Sequence, residues 1–222
     1  MGTETTVGAA TGVAIEAEEA VVARLRATGV VPIVRAASVA RGEALVAAVE
    51  EAGFDVVEVS FNTPDAAALI GRIRARWPRV LVGAGTVLRP EEAAAASAAG
   101  ARFLLSPVFD ETVDQAARAA GCLYIPGVFT AHEVWAAVRA GRRLVKLFPA
   151  SLLGIAGARA LLEPFGPVGM LPTGGLGLAD VAPWRAAGAV AVGLGGALAR
   201  AEHPVEAARQ ALAQARLEAA PA

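Results

Sequence analysis

The stretch VVPIVRAAS at residues 30–38 decides between the two folds open to this chain. Val30 to Val34 form a short apolar run of mostly β-favouring residues, and a helical pattern, ASVARGEALVAAVEEAG (37–53), follows at once. A doubly wound open sheet that binds a dinucleotide would place a glycine-rich phosphate fingerprint directly after this first strand. Arg35-Ala36-Ala37-Ser38 stands there instead. Seven further runs resemble the first: DVVEVSF (55–61), VLVGAGT (80–86), RFLLSP (102–107), CLYIPGV (122–128), RLVKLFP (143–149), GMLPTGG (169–175) and AVAVGLG (189–195). Their starts lie 20 to 26 residues apart, which accommodates one strand, one helix and two short loops. The runs are nearly continuously apolar, as parallel strands covered on both faces are. Ala-rich stretches such as PEEAAAASAAG (90–100) and AHEVWAAVRAG (131–141) separate them and close on glycine, the preferred residue just past a helix.

Eight strand–helix units predict an α/β fold, a (β/α)8 TIM barrel, with an extra N-terminal helix over roughly 14–28. The expected organisation is one domain spanning 1–222, with residues 1–13, small and polar, as a leader. A hydrophobic content of 55% suffices for a sizeable core. The formal net charge of −1, from 20 basic and 21 acidic residues without a charged run, gives no footprint for nucleic acid. Apolar stretches are of strand length and interrupted, so no membrane span is expected. One cysteine, Cys122, excludes an internal disulfide framework and suits a reducing compartment. Metal chemistry is not expected, because His132 and His203 are the only histidines and neither has a second ligand at helical spacing. Trp77, Trp135 and Trp184 fall in helical stretches and are expected to pack between helices and strands.

In such a barrel the active site gathers at the C-terminal ends of the strands. Those ends supply Arg35, Glu58 followed by Asn62, Thr86, Ser106-Pro107, Pro126-Gly127 and then Thr130, Lys146, Thr173-Gly174-Gly175, and Gly195-Gly196. Lys146 is the single lysine of the chain; the other 19 basic residues are arginine. Arginine is the better structural ion-pair partner, but its guanidinium stays protonated. A desolvated amine loses its proton and becomes a nucleophile for a ketone. Alternation along the strands puts Val56, Glu58 and Ser60 on one face, and Leu144, Lys146 and Phe148 on another. With both faces inward, an amine and a carboxyl share one interior. The bland reading is a buried ion pair that fixes register. The sharper one is an imine-forming lysine with Glu58 as general acid/base. The glycine pairs at 174–175 and 195–196, after adjacent strands, suit phosphate held by backbone N–H groups. Arg35 is a candidate partner for a carboxylate.

Taken in order, VVPIVRA, GFDVVEVSFNTPD, VGAGTVL, FLLSP, IPGVFTAHE, VKLFPAS, LPTGGL and AVGLGGAL resemble the 2-keto-3-deoxy-6-phosphogluconate (KDPG) and 2-keto-3-deoxy-6-phosphogalactonate (KDPGal) aldolase family, over roughly residues 30–215. The resemblance implies a class I, metal-free and cofactor-free aldolase that reversibly cleaves a 2-keto-3-deoxy-6-phospho-sugar acid to pyruvate and a phosphorylated aldehyde, glyceraldehyde 3-phosphate. It implies that Lys146 is the Schiff-base lysine, that Glu58 is the catalytic glutamate, and that Arg35 contacts the pyruvate carboxylate. Thr86 and Pro107 then line the pyruvate pocket, Gly174, Gly175, Gly195 and Gly196 hold phosphate by their backbones, and Asn62 and Thr173 contact substrate. A cytoplasmic homotrimer is also implied. Asn62-Thr63-Pro64 and the FPAS motif lean to the galactonate type and LPTGG to the gluconate type, while Gly196 stands where relatives often carry serine. Three alternatives stay open: 4-hydroxy-2-oxoglutarate as the main substrate, a phosphosugar isomerase, and a sugar-phosphate-binding barrel without catalysis.

Overall fold

The computed structural model describes residues 18–217. The expected leader (1–13) and the first residues of the expected N-terminal helix (14–17) lie outside them. Helix α1 occupies 18–28. Strands β1 (Val30–Val34), β2 (Val56–Ser60), β3 (Leu81–Gly85), β4 (Phe103–Leu105) and β5 (Leu123–Ile125) then alternate with helices α2 (Val39–Glu51), α3 (Ala66–Arg76), α4 (Pro90–Ala98) and α5 (Glu111–Ala119). The second half carries β6 (Gly127–Val128), α6 (Ala131–Arg139), β7 (Leu144–Leu147), α7 (Ala150–Leu162), β8 (Gly169–Pro172), α8 (Val181–Ala186), β9 (Val192–Leu194), α9 (Gly196–Ala199) and α10 (Pro204–Leu217).

All strand pairings are parallel. One sheet runs β5-β4-β3-β2-β1-β9 and a second runs β6-β7-β8. Two seams join them. A parallel bridge links Thr173, just past β8, to Gly193 of β9. At the other seam the expected fifth strand, CLYIPGV, is divided at Pro126. Proline has no N–H to give a ladder, so β5 pairs with β4 while β6 turns to β7. The Pro126 carbonyl accepts from the Lys146 N–H at 2.8 Å, so the break lies beside the lysine.

The two faces of the curled sheet hold separate clusters. Val31, Val56, Leu81, Phe103, Leu105, Leu123, Ile125, Leu144 and Leu171 pack on the inner face, with Leu25 of α1. Val30, Val57, Val82, Leu104, Tyr124, Val145, Met170 and Val192 pack outward beneath the helices. Burying each large side chain contributes about 1.5–3 kcal/mol. Odd and even positions of each strand thus divide between the two faces, as the period of two demands. Alpha-1 is tied on by an ion pair from Glu18 to Arg142 at 3.0 Å. Arg142 is itself buried against Asp114 of α5.

Local chemistry sets the helix starts. Ser38 caps α2 by accepting from the Arg41 N–H. Asp110 caps α5 by accepting from the Thr112 and Val113 N–H groups. Thr130 and Glu133 form a capping box at α6, so this strand-end threonine is committed to holding a helix. The tryptophans differ from expectation in part. Trp184 is buried and Trp77 half-buried under the Arg76 guanidinium, but Trp135 is 51% exposed and stacks on Phe165 with 6.3 Å between ring centroids. The α6 residues that face the core are Val134 and Ala137, which turns their neighbour Trp135 outward.

Candidate active site

Even-numbered positions of β2 and β7 face inward, which brings Glu58 and Lys146 into one interior. Both are almost completely buried, at 1% and 4% exposure. They line a cavity of about 860 Å3 at the C-terminal ends of the strands, together with Arg35, Asn62, Thr86, Pro107, Thr173, Gly174, Gly175, Gly195 and Gly196. Every residue singled out from the strand ends as a substrate contact therefore borders the same space. A cavity of about 910 Å3 lies at the opposite, N-terminal ends of the strands, beside α1. Among the described residues its lining holds no lysine, so it lacks the amine–carboxyl pair that borders the first.

No salt bridge joins Lys146 to Glu58 among the described residues, and Oε2 of Glu58 is buried without a hydrogen-bond partner. A carboxylate oxygen left in that state costs free energy, and a substrate hydroxyl would relieve it. Burial pushes the Glu58 carboxyl above the usual carboxylate range, against the attraction of Lys146 and Arg35. Burial likewise pulls the Lys146 ammonium below the usual lysine value; Glu58 opposes this and Arg35 adds to it. Burial thus shifts both groups toward the neutral amine and the neutral acid, the forms needed for attack on a ketone and for proton donation. The Phe148 ring, 5.1 Å from Nζ, forms part of the apolar wall.

These electrostatics give an opposed pair of shifts. Arg35→Ala removes a cation that depresses the Lys146 pKa, so the pH midpoint for labelling this amine with an amine-reactive reagent is expected to rise. Glu58→Gln removes the anion that supports its protonated form, so the midpoint is expected to fall. Peptide mass spectrometry reads the result directly, because the chain has no other lysine.

Thr86 adopts φ +59°, and Asp65 is the only other non-glycine residue with positive φ among those described. A β-branched residue in the left-handed region carries strain, which collects at functional sites. The Ser60 and Thr86 hydroxyls pair at 3.1 Å across the ends of β2 and β3, holding Thr86 on the cavity wall.

Sequence reasoning missed Gly83 and Gly85, and it named Gly174 and Gly175 without the close packing that each of the four makes possible. A Cβ on Gly85 would stand 1.6 Å from Oε1 of Glu58, and one on Gly83 would stand 2.2 Å from the Phe103 ring. Glycine inside a strand marks such close approach. A Cβ on Gly174 would meet the Phe148 ring at 2.8 Å and one on Gly175 the Ser151 hydroxyl at 2.1 Å. The signal was present in V-G-A-G-T, where two glycines alternate on one strand face. Arg200 also lines the cavity without having been singled out.

Comparison with known proteins agrees with this geometry. The family described as KDPG and KHG aldolase matches residues 21–212. The chain is 40% identical over 158 residues to the 2-dehydro-3-deoxy-phosphogluconate aldolase of Treponema pallidum, covering 71% of this chain and 75% of that one. It is 36% identical over 165 residues to the 2-dehydro-3-deoxy-6-phosphogalactonate aldolase of Escherichia coli K12, covering 72% and 80%. Among solved structures, the KDPG aldolase of Legionella pneumophila, with pyruvate captured as a covalent carbinolamine, superposes with a TM-score of 0.75 at 27% identity, over 90% of this chain and 98% of that one. With its match running from α1 into α10, and a buried amine and carboxyl in one cavity, the chain belongs to the KDPG and KHG aldolase family and is a carbon–carbon lyase.

Proposed function

We propose that this aldolase cleaves 2-keto-3-deoxy-6-phospho-sugar acids of the gluconate or galactonate type to pyruvate and glyceraldehyde 3-phosphate. The observation that carries the reading is the chain's single lysine, buried in a cavity whose desolvation lowers its pKa and which a buried carboxyl also lines.

Neutral Lys146 attacks the C2 ketone, and the carbinolamine loses water to give a protonated imine as the neutral Glu58 carboxyl donates its proton to the departing hydroxyl. Glu58, left as a carboxylate by that donation, takes the proton of the C4 hydroxyl. The C3–C4 bond then breaks, its electron pair moving through C2 to the imine nitrogen, and the aldehyde leaves. The enamine accepts that proton from Glu58 at C3, and water hydrolyses the resulting imine to pyruvate and free lysine, the released proton returning to the Glu58 carboxylate. The imine is the electron sink, so the cycle is written without a metal or cofactor. Arg35 is the partner for the substrate carboxylate. Asn62, Thr86, Pro107 and Thr173 shape the pocket, and the backbones of Gly174, Gly175, Gly195 and Gly196 receive the phosphate. Reading β5 and β6 as one strand divided at Pro126, the fold is a single-domain closed (β/α)8 barrel preceded by α1. Exposed apolar side chains, including Trp135 and Leu152, support self-association as a homotrimer, and a single buried cysteine suits a cytoplasmic location.

The test compares kcat/KM on the gluconate and galactonate epimers and on 4-hydroxy-2-oxoglutarate. Cleavage of a phosphorylated epimer is expected to be fastest. Faster turnover of 4-hydroxy-2-oxoglutarate would reassign the main substrate. A chain that turns over none of them and is not modified by pyruvate and borohydride would be a binding protein instead.

A further inference from the structure

Arg200 directly follows α9, and its guanidinium folds back over Gly196. A Cβ at Gly196 would stand 2.6 Å from Nη1, 2.7 Å from Nη2 and 2.9 Å from Cζ. This close approach is possible only because position 196 has no side chain. Arg200 is exposed, and it takes part in none of the ion pairs or side-chain hydrogen bonds found among the described residues. An exposed arginine without a protein anion is available to a ligand anion.

The surroundings say which anion. Arg200 lines the cavity of Lys146 and Glu58, on the side where Gly174, Gly175, Gly195 and Gly196 also border it. Gly174 and Gly175 take φ of +93° and +74°, and neither amide donates to a backbone carbonyl among the described loop contacts. Successive free N–H groups in such a turn form a concave anion site. Lys146, Arg35 and Arg200 face a single carboxyl, Glu58, around the cavity. A guanidinium offers two parallel N–H donors that fit a phosphoryl group.

We infer that Arg200, laid across the bare Cα of Gly196, is the residue with which this chain recognises a phosphoryl group on its substrate and sets its preference for phosphorylated over unphosphorylated substrates. The inference rests on the aldol reading for its choice of substrate, but the anion site can be tested without it. Gly196 then leaves room for the guanidinium, which a side chain there would have to move aside.

The experiment measures kcat/KM for 2-keto-3-deoxy-6-phosphogluconate and for its unphosphorylated counterpart in the full chain and in Arg200→Ala, Arg200→Lys and Gly196→Ala. The phosphorylated-to-unphosphorylated ratio is expected to fall about 10- to 100-fold in Arg200→Ala, the scale of a lost hydrogen-bonded charge contact. The loss should lie mainly in KM. Arg200→Lys should recover only part of it, and Gly196→Ala, which the end of the Arg200 side chain can accommodate by shifting, should show a smaller fall. Calorimetric titration with inorganic phosphate forms the second arm, with affinity expected to weaken at least about 10-fold in Arg200→Ala. An unchanged ratio, or an equal loss on both substrates, with unchanged phosphate affinity overturns the role of Arg200. An unmodified chain that turns over neither substrate overturns the aldol reading instead, and the titration then decides the anion site alone.

Discussion

Lys146→Arg is expected to abolish covalent trapping of pyruvate by borohydride and to lower kcat/KM for aldol cleavage by at least about 10^4-fold, the scale on which loss of a covalent nucleophile acts. The substitution keeps the positive charge opposite Glu58 and enters a cavity of about 860 Å3, so folding should survive. What it removes is deprotonation: a guanidinium remains charged in proteins and forms no imine. Lys146→Ala should lose as much activity for the same reason, with one further consequence. It takes away the cation that holds the Glu58 pKa down, so that carboxyl should rise further still. Mass spectrometry of the borohydride-treated chain reads the first effect, because the adduct has one lysine to occupy. Full turnover by Lys146→Arg would favour isomerase chemistry through Glu58 and the phosphate loops.

Much of this site was legible because strand geometry is periodic. Once the eight apolar runs are aligned, their C-terminal ends name most of the polar wall, and Lys146 stands out against 19 arginines. Glu58 was legible for the same reason, as a charge at an inward position of an otherwise apolar strand. Other features depend on contacts that spacing does not encode. Thr130 looks like another strand-end polar group, but its hydroxyl and Glu133 close a capping box. The division of the fifth strand at Pro126 follows from a missing N–H, yet which neighbour each half would choose is set by closure of the sheet. Arg200 was one arginine among many; only its position over Gly196 distinguishes it. Thr86 was named from its place at a strand end, whereas its left-handed backbone is imposed by the turn it enters.

Gly85 is the clearest of these hidden requirements, and Gly85→Ala is expected to lower kcat/KM by about 10²- to 10⁴-fold, as loss of the general acid/base would. The glycine sits at the end of β3 paired with Ser60 of β2, directly beneath the carboxyl of Glu58. An added methyl would stand 1.6 Å from Oε1 and 2.3 Å from the carboxyl carbon, so the two groups cannot both keep their places. Glu58 must tilt off its rotamer or β3 must shift, an overpacking cost of about 1–3 kcal/mol. In a chain of this length that corresponds to a Tm lower by about 2–12 °C. The double variant Glu58→Ala/Gly85→Ala separates the two consequences. Removing the carboxyl vacates the space for the methyl, so stability should return towards that of Glu58→Ala alone while activity stays low, a non-additive cycle of the kind contacting residues give. Gly83→Ala, two residues earlier on the same face, is the control. Its methyl would meet the Phe103 ring at 2.2 Å rather than the carboxyl, so it should lower Tm without the same fall in kcat/KM. If Gly85→Ala turned over substrate at the unmodified rate, Glu58 could not be acting from the position in which β2 and β3 hold it.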